Sequence, residues 1–285
     1  MHLKATMHTF LLISLFNLKF VSAASDSITT PEILKDPETL ISNNSNFKLG
    51  FFGPTDSTNR YLGIWFNNKG FDNTLEVVWV ANRNSPVKDS TALLKISNDG
   101  NLQVIDEQNK IYWSSNVSSN ANSSVAQLLD TGVKLTFNKS EYDANTNIQS
   151  WKSSNDPSSG RFRVVILPRD LPEFFILDGD RTYWRSGPWN GYLFLGVPNV
   201  HSEVSFGFNV DDHIDIVDIS YESADQSLLE RFVLFYDGIL RQKIWEDSSN
   251  NWEMFWHSLQ SECDVYGKCG VFAVCNLRDS PFVNV

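Results

Sequence analysis

Three observations predict an all-β fold for this chain. Short apolar or aromatic runs (FKLGFF, YLGIWF, VVWVA, LLKIS, NLQVI, KIYW) are each bounded by Asn, Asp, Gly, Ser or Pro. Helical 3.6-residue periodicity is hard to find among them. A Trp-x-x-Asn element occurs at Trp79/Asn82 and again at Trp113/Asn116, 34 residues further on. Such a period marks stacked supersecondary units that share one core.

The first element in chain order is a leader. Met7 to Phe20 is largely apolar, interrupted by Asn17 and Lys19. His2 and Lys4 precede it, and Val21-Ser-Ala23 and Ser22-Ala-Ala24 offer small residues for cleavage. The run is shorter than the ~20 apolar residues a spanning helix needs. Residues 1–24 therefore read as a secretory signal peptide, and no later segment is long and apolar enough to span a bilayer. The expected location is extracellular, the apoplast.

Residues 25–137 are β-type and suit a barrel, prism or sandwich. Tyr61 to Pro86 is their most informative part: two aromatic strand signals flank a polar loop, and Asn84-Ser-Pro86 closes the second. Residues 138–160 are polar, and SWKSSNDPSSG reads as a connector. Over 161–257 strand signals return in RFRVVIL, EFFILD, VSFGF, IDIVDIS, RFVLFY and ILRQKIW, with a hairpin signal at Asp237-Gly238. Residues 258–285 hold all three cysteines.

Composition narrows the function. Of 285 residues, 41% are hydrophobic and 13% aromatic, enough for packed domains, and the net charge is −11. Phosphate-rich partners need concentrated Lys and Arg, so nucleic acid and anionic lipid are set aside. The evenly spaced Cys263, Cys269 and Cys275 lack the paired Cys-x-x-Cys or added His of a metal site, so no metal is expected. Behind a leader they suit a disulfide-stapled module, and an odd count leaves one thiol without an intramolecular partner. Asn43, Asn116, Asn122 and Asn138 begin Asn-x-Ser tripeptides, acceptors for N-glycosylation on that route.

An ordered set of stretches, NFKLGFF, YLGIWF, VVWVANRNSP, LKISNDGNLQV, YWSSNVS, SWKSSNDPSSG, YWRSGPWNG, LFYDGILRQKIW and CDVYGKCGVFAVCN, resembles the ectodomain of plant S-locus glycoproteins and S-domain receptor-like kinases. The resemblance covers nearly all of the chain after the leader. It implies a bulb-type lectin domain, a β-prism of three four-stranded faces, followed by a β-rich S-locus glycoprotein domain and an EGF-like module. In the family a PAN domain follows, and in the receptors a transmembrane helix and a kinase. By the EGF-like pattern the first cysteine pairs with the third, Cys263 with Cys275, leaving Cys269 unpaired because the fourth is missing.

The chain departs from the family in two places. Asp130-Thr-Gly132 runs straight into Val133-Lys-Leu135, as though the segment carrying the third Trp repeat had been excised near 132/133. The prism is therefore expected to be incomplete, unless Ile148 to Trp151 folds back to supply an aromatic. The EGF-like module stops after its third cysteine.

Mannose-binding relatives use a Gln-x-Asp-x-Asn-x-Val-x-Tyr strand, whose carboxylate, amide and phenol fix sugar hydroxyls. The best register here is Ser97, Asp99, Asn101, Gln103 and Ile105, and only Asp99 and Asn101 keep the motif identity. The competing reading, that Asn98-Asp99-Gly100 is a hairpin turn, is preferred, so mannose-type glycans are expected to bind weakly at most. Asp211-Asp212-His213-Ile-Asp215 reads as a turn and a solvated strand face rather than a cation site. His201 and His257 are isolated. Trp65, Trp79 and Trp113 read as core rather than sugar platforms.

No phosphate loop, nucleophile elbow or kinase signature is present, so neither enzyme activity nor a cofactor is expected. The resulting expectation is a secreted recognition protein, with carbohydrate binding or recognition of pollen as the roles the family implies. The alternatives are a truncated ectodomain acting through a protein or peptide ligand or full-length S-domain receptor relatives, and a gene remnant without function.

Overall fold

The computed structural model describes residues 25–70, 75–117, 124–130, 135–138, 148–167, 171–197, 205–212, 216–223, 228–276 and 283–284; of 135–138, 205–212, 216–223 and 283–284 the backbone alone is described. The leader, the join at 132/133 and Asn122 lie outside these residues.

Ten strands build the first half. They are β1 (Ser27–Thr29), β2 (Ile33–Lys35), β3 (Thr39–Ile41), β4 (Phe47–Phe52), β5 (Tyr61–Phe66), β6 (Val77–Val80), β7 (Leu93–Ile96), β8 (Leu102–Ile105), β9 (Ile111–Ser114) and β10 (Val125–Gln127). Two antiparallel sheets have four strands each, in the orders β3-β4-β5-β6 and β2-β7-β8-β9. The third, β1-β10, has two among the described residues. All three sheets face one core: Ile28 of β1, Leu49 of β4, Leu62 of β5, Leu94 of β7, Val104 of β8 and Leu128 after β10. Alternation along each strand turns these side chains inward. Fully burying a side chain such as Leu62, 0% exposed, contributes about 1.5–3 kcal/mol.

The ends of these ladders are closed by side chains. Ser42 donates its N–H to Phe47 O (3.0 Å), while its hydroxyl accepts from Phe47 N (2.9 Å). Ser115 does the same with Leu102, at 2.9 and 3.0 Å. At the end of β6 the task is divided: Ala81 N donates to Leu62 O (2.9 Å), and the Asn82 carboxamide accepts from Leu62 N (2.8 Å). Asn82 also donates to Arg60 O and Ser85 O, so this buried polar side chain has its bonds satisfied. The repeated Asn116 is exposed and has φ +51°, so the two Asn positions of the repeat are not structurally equivalent.

Trp79 and Trp113 lie on the edge strands β6 and β9, and their rings meet edge-on with centroids 5.6 Å apart. Trp79 remains 39% exposed. Trp65 is buried, beside Phe52 at 6.4 Å.

The second half contains β11 (Leu135–Asn138), β12 (Ile148–Ser153), β13 (Asp156–Leu167), β14 (Glu173–Asp178), β15 (Arg181–Arg185), β16 (Ser205–Asp212), β17 (Ile216–Ser223), β18 (Glu230–Leu234), β19 (Leu240–Glu246) and β20 (Asn251–His257). A 3-10 turn at Glu262–Asp264 and the short β21 (Val274–Cys275) and β22 (Val283–Asn284) complete it. The sheets β12-β13-β14-β15 and β18-β19-β20 pack on a shared core that includes Phe162, Ile176, Trp184, Leu234, Leu240 and Trp256. Serine closures recur there, with Ser186 on Phe174 and Ser258 on Leu240. Asp237-Gly238 forms the β18–β19 turn, where Gly238 has φ +82°, a conformation that glycine adopts without strain.

Two boundaries differ from the sequence reading. Residues 138–160, read from polarity as a connector, contain β12 and the start of β13. Polarity misled because small hydroxyls can be buried when bonded: Ser150 is 0% exposed and its hydroxyl accepts from Phe162 N. β11, assigned to the end of the first unit, pairs with β17 instead of extending β1-β10. Ile148 to Trp151 likewise joins β13, and the Trp151 ring stacks on Phe52 of β4 at 6.4 Å.

The halves are clamped together. Phe66, Trp245 and Trp252 form a small shared cluster. Beside it Arg231, 9% exposed in its side chain, pairs with Glu76 at 2.7 Å and sits over the Phe66 and Trp252 rings. Burial pushes the Arg231 pKa down while Glu76 opposes that shift. On the other side Arg83 donates to three carbonyls, of Gln149 (3.3 Å), Ser150 (2.9 Å) and Pro157 (3.1 Å). Asn84 exchanges two hydrogen bonds with Ser159.

Candidate functional site

The Ser97–Ile105 register crosses the β7–β8 hairpin. Ser97 N donates to Asn101 O (2.8 Å) and Gly100 N to Ser97 O (2.9 Å), a tight turn that Gly100 permits with φ +82°. Asp99 is exposed and accepts from the Ser97 hydroxyl and from Asn101 N. The Ser97 hydroxyl and then the Asn101 side chain and N–H hold its carboxyl below the usual carboxylate range. The Asn101 side-chain amide oxygen Oδ1 accepts from Val117 N (2.7 Å) and the Ser115 hydroxyl (3.3 Å), tying the turn to the end of β9. Ile105 is buried, 2% exposed. Asp99 and Asn101 thus lie in one turn, with their oxygens engaged by that turn and by its neighbour. Their chemistry here is turn closure.

The Cys263 and Cys275 sulfurs are bonded, with Cα atoms 5.6 Å apart, and Cys269 is a partly exposed free cysteine. The 3-10 turn that opens this module is capped reciprocally: Ser261 accepts from Cys263 N, while Asp264 accepts from Ser261 N (2.6 Å). Asn43 and Asn116 are exposed, and Asn138 ends β11 opposite Ile216.

A cleft of about 400 Å³ separates β15 and β20 from the cysteine module. Trp184 and Trp256 contribute its aromatic wall, and Arg185, His257, Gln260 and Tyr266 its polar lining. The Arg185 guanidinium lies 5.5 Å above the Tyr266 ring and 3.9 Å from the Glu173 carboxylate. Aromatic walls with a few hydrogen-bonding groups suit a small polar ligand. Of these residues the sequence singles out His257, as an isolated histidine. No short-range signal joins it to residues 72 positions earlier at Arg185.

Asp211 and Asp212 close β16, whereas His213, Asp215 and His201 lie outside the described residues. Among the described residues no group of three or more His, Cys, Asp or Glu is placed to hold a metal ion, and no helix is long and apolar enough to cross a membrane.

Comparison with known proteins covers both halves. Residues 76–167 match the D-mannose binding lectin family, and residues 184–284 match the S-locus glycoprotein domain. A G-type lectin S-receptor-like serine/threonine-protein kinase from Arabidopsis thaliana is 37% identical over 95% of this chain and 36% of its own length. S-locus-specific glycoprotein S6 from Brassica oleracea is 32% identical over 97% of this chain and 70% of its own. Among solved structures, the fetuin-binding Scilla campanulata agglutinin, a two-domain lectin, aligns over 84% of this chain and 90% of its own at 14% identity. Its TM-score is 0.29, too low to carry argument. The chain spans about a third of the length of the receptor kinases it matches. With two domains matched in order and a whole-chain relationship to an S-locus glycoprotein, this all-β chain belongs to the S-locus glycoprotein and S-domain receptor family.

Proposed function

We propose that this chain acts as a secreted, non-catalytic recognition ectodomain in the apoplast. Its ligand is a protein or peptide surface rather than a mannose-type glycan held by the Ser97–Ile105 register. One observation carries this reading: the Asn101 oxygen that would take a sugar hydroxyl already accepts from Val117 N at 2.7 Å. Ile105, where the motif wants a phenol, is in the core and offers no hydrogen bond. Recognition of pollen, the role the family resemblance implies, and association with full-length S-domain receptors are the settings in which to seek the partner. Mannose titration by calorimetry tests the reading. We expect no saturable heat; a dissociation constant well below about 1 mM, abolished by Asp99→Ala, would overturn it.

The cleft beside Tyr266 favours a second reading, glycan contact by the second half. A glycan array probed with the secreted chain and with Tyr266→Ala separates the two. Binding lost in that variant supports the second reading.

A further inference from the structure

The cleft between β15, β20 and the cysteine module is lined throughout by described residues, and Arg185 is the one Lys or Arg among them. Its side chain is 56% exposed, and its guanidinium donates no hydrogen bond among the described residues. A guanidinium carries five N–H donors in one plane. The Tyr266 ring, 5.5 Å away, braces that plane, and Tyr266 N in turn donates to Tyr183 O of β15 at 2.8 Å.

The two acids nearby leave those donors free. Glu173 is 7% exposed and does not line the cleft, and its Oε1 stands 3.9 Å from Arg185 Nε, beyond hydrogen-bond length. It holds Arg185 by charge alone. Asp264 is committed to the 3-10 cap, where its Oδ2 accepts from Ser261 N (2.6 Å) and the Ser261 hydroxyl (3.1 Å). Gln260 Nε2 donates to His257 O at 2.6 Å, which leaves Gln260 Oε1, the His257 ring and the Tyr266 hydroxyl to meet a ligand. Trp184 and Trp256, edge-on with centroids 6.1 Å apart, form the apolar wall. A bare carboxylate would satisfy Arg185 but leave that wall, and most of the cleft's volume of about 400 Å³, unused.

We propose that this cleft binds an acidic glycan of the uronic-acid class. The sugar carboxylate takes two N–H groups of Arg185, the pyranose ring packs on the aromatic wall, and the hydroxyls meet His257 and Gln260. This rests on the second reading above, glycan contact by the second half, and names the sugar. The net charge of −11 repels polyanions in general, so a preference for the acid arises at this site and not from the overall field.

Calorimetry of the full secreted chain with trigalacturonate and with its methyl ester separates charge from sugar. We expect the acid to bind at least about tenfold more tightly than the ester, the size of one charged hydrogen-bonding contact. Arg185→Gln should bring the two to the same weak level, and Tyr266→Ala should weaken both. Because Arg185→Gln leaves Glu173 buried without its cation, Arg185→Gln with Glu173→Gln is the second variant, with the same loss expected. Circular dichroism checks that each variant folds. Acid and ester binding equally, both lost in Tyr266→Ala, would leave the glycan reading standing and overturn the uronic-acid assignment. Acid binding that survives both Arg185 variants would overturn it too, as would a triglutamate peptide binding as tightly as trigalacturonate, the mark of a peptide carboxylate site. Binding of neither sugar would overturn the assignment and the second reading together.

Discussion

The faces β3-β4-β5-β6 and β2-β7-β8-β9 and the face β1-β10 enclose one core with unequal means. In each larger face the two inner strands have hydrogen-bonded neighbours on both sides, and Leu62, Leu94 and Val104 are 0% exposed. The smaller face contributes Ile28 and Leu128 to the same core, at 3% and 7% exposure. Its outer surface nevertheless carries Val125 and Leu129 in the open. Among the described residues, burial from within is nearly complete on a face whose hydrogen-bond ladder has two strands. The core and the sheet edge are separate requirements.

Substitutions that open cavities should break the comparison most strongly. Leu62→Ala, in the middle of a four-stranded face, is expected to cost about 3–5 kcal/mol. Ile28→Ala, on a two-stranded face whose neighbours can relax inward, should cost about 1–3 kcal/mol. Urea denaturation of both variants measures the difference, and equal losses would mean that the small face is held as rigidly as the large ones.

Trp79 offers a subtler contrast. A buried Trp typically costs ~3–5 kcal/mol to truncate, but this one is partly exposed and meets Trp113 alone among the Trp rings of the first half. Trp79→Ala should cost about 1–2 kcal/mol. Inserting a family-like segment between Gly132 and Val133 should raise both the melting temperature and the loss on truncating Trp79. An unchanged melting temperature would show that the first unit closes without that segment.

Asp130 is the polar tie of the deficient face. It accepts from the Ser42 hydroxyl (2.5 Å), Asn44 N (2.7 Å) and Asn46 N (3.4 Å), linking the chain after β10 to the β3–β4 turn. Burial alone would raise its pKa, but these hydrogen bonds together outweigh that and leave it below the ordinary carboxylate value. A depressed folded pKa contributes stability that is present above the unfolded value, about 3.9, and lost as pH falls through the folded one. Asp130→Asn should therefore cost about 1 kcal/mol near neutrality, allowing for solvent screening. The gap to the parent should narrow below about pH 4. A gap independent of pH would show that charge plays no part in the tie.

The smallest effect is expected at Asp99. Asp99→Ala removes an exposed turn acceptor, so calorimetry with mannose should give the same flat titration as the parent.

Much of the fold was legible in particular runs. YLGIWF and FKLGFF are short runs rich in aromatic residues bounded by turn formers, and they became adjacent strands. The resemblance to one family rested on ordered motifs whose local chemistry is strong. The Asn98-Asp99-Gly100 turn was also legible, because a glycine at positive φ within a polar tripeptide leaves few other conformations. The candidate site was legible only as a set of residue types. That Asn101 bonds Val117, and that Ile105 lies in the core, depends on β8 pairing with β9.

The sequence by itself determined that this chain is all-β, which segments pair through short turns, and which family it belongs to, since these depend on local pattern and motif order. Tertiary structure decided the rest. It placed β11 beside β17 instead of in the first unit, made strands of the polar stretch 148–160, and turned Arg83 and Glu76 into clamps between the halves. The β11–β17 pairing and the two clamps join residues more than sixty positions apart. A strand's partner, and whether a charged side chain ends up satisfied in the interior, depend on groups brought close only once the sheets have packed.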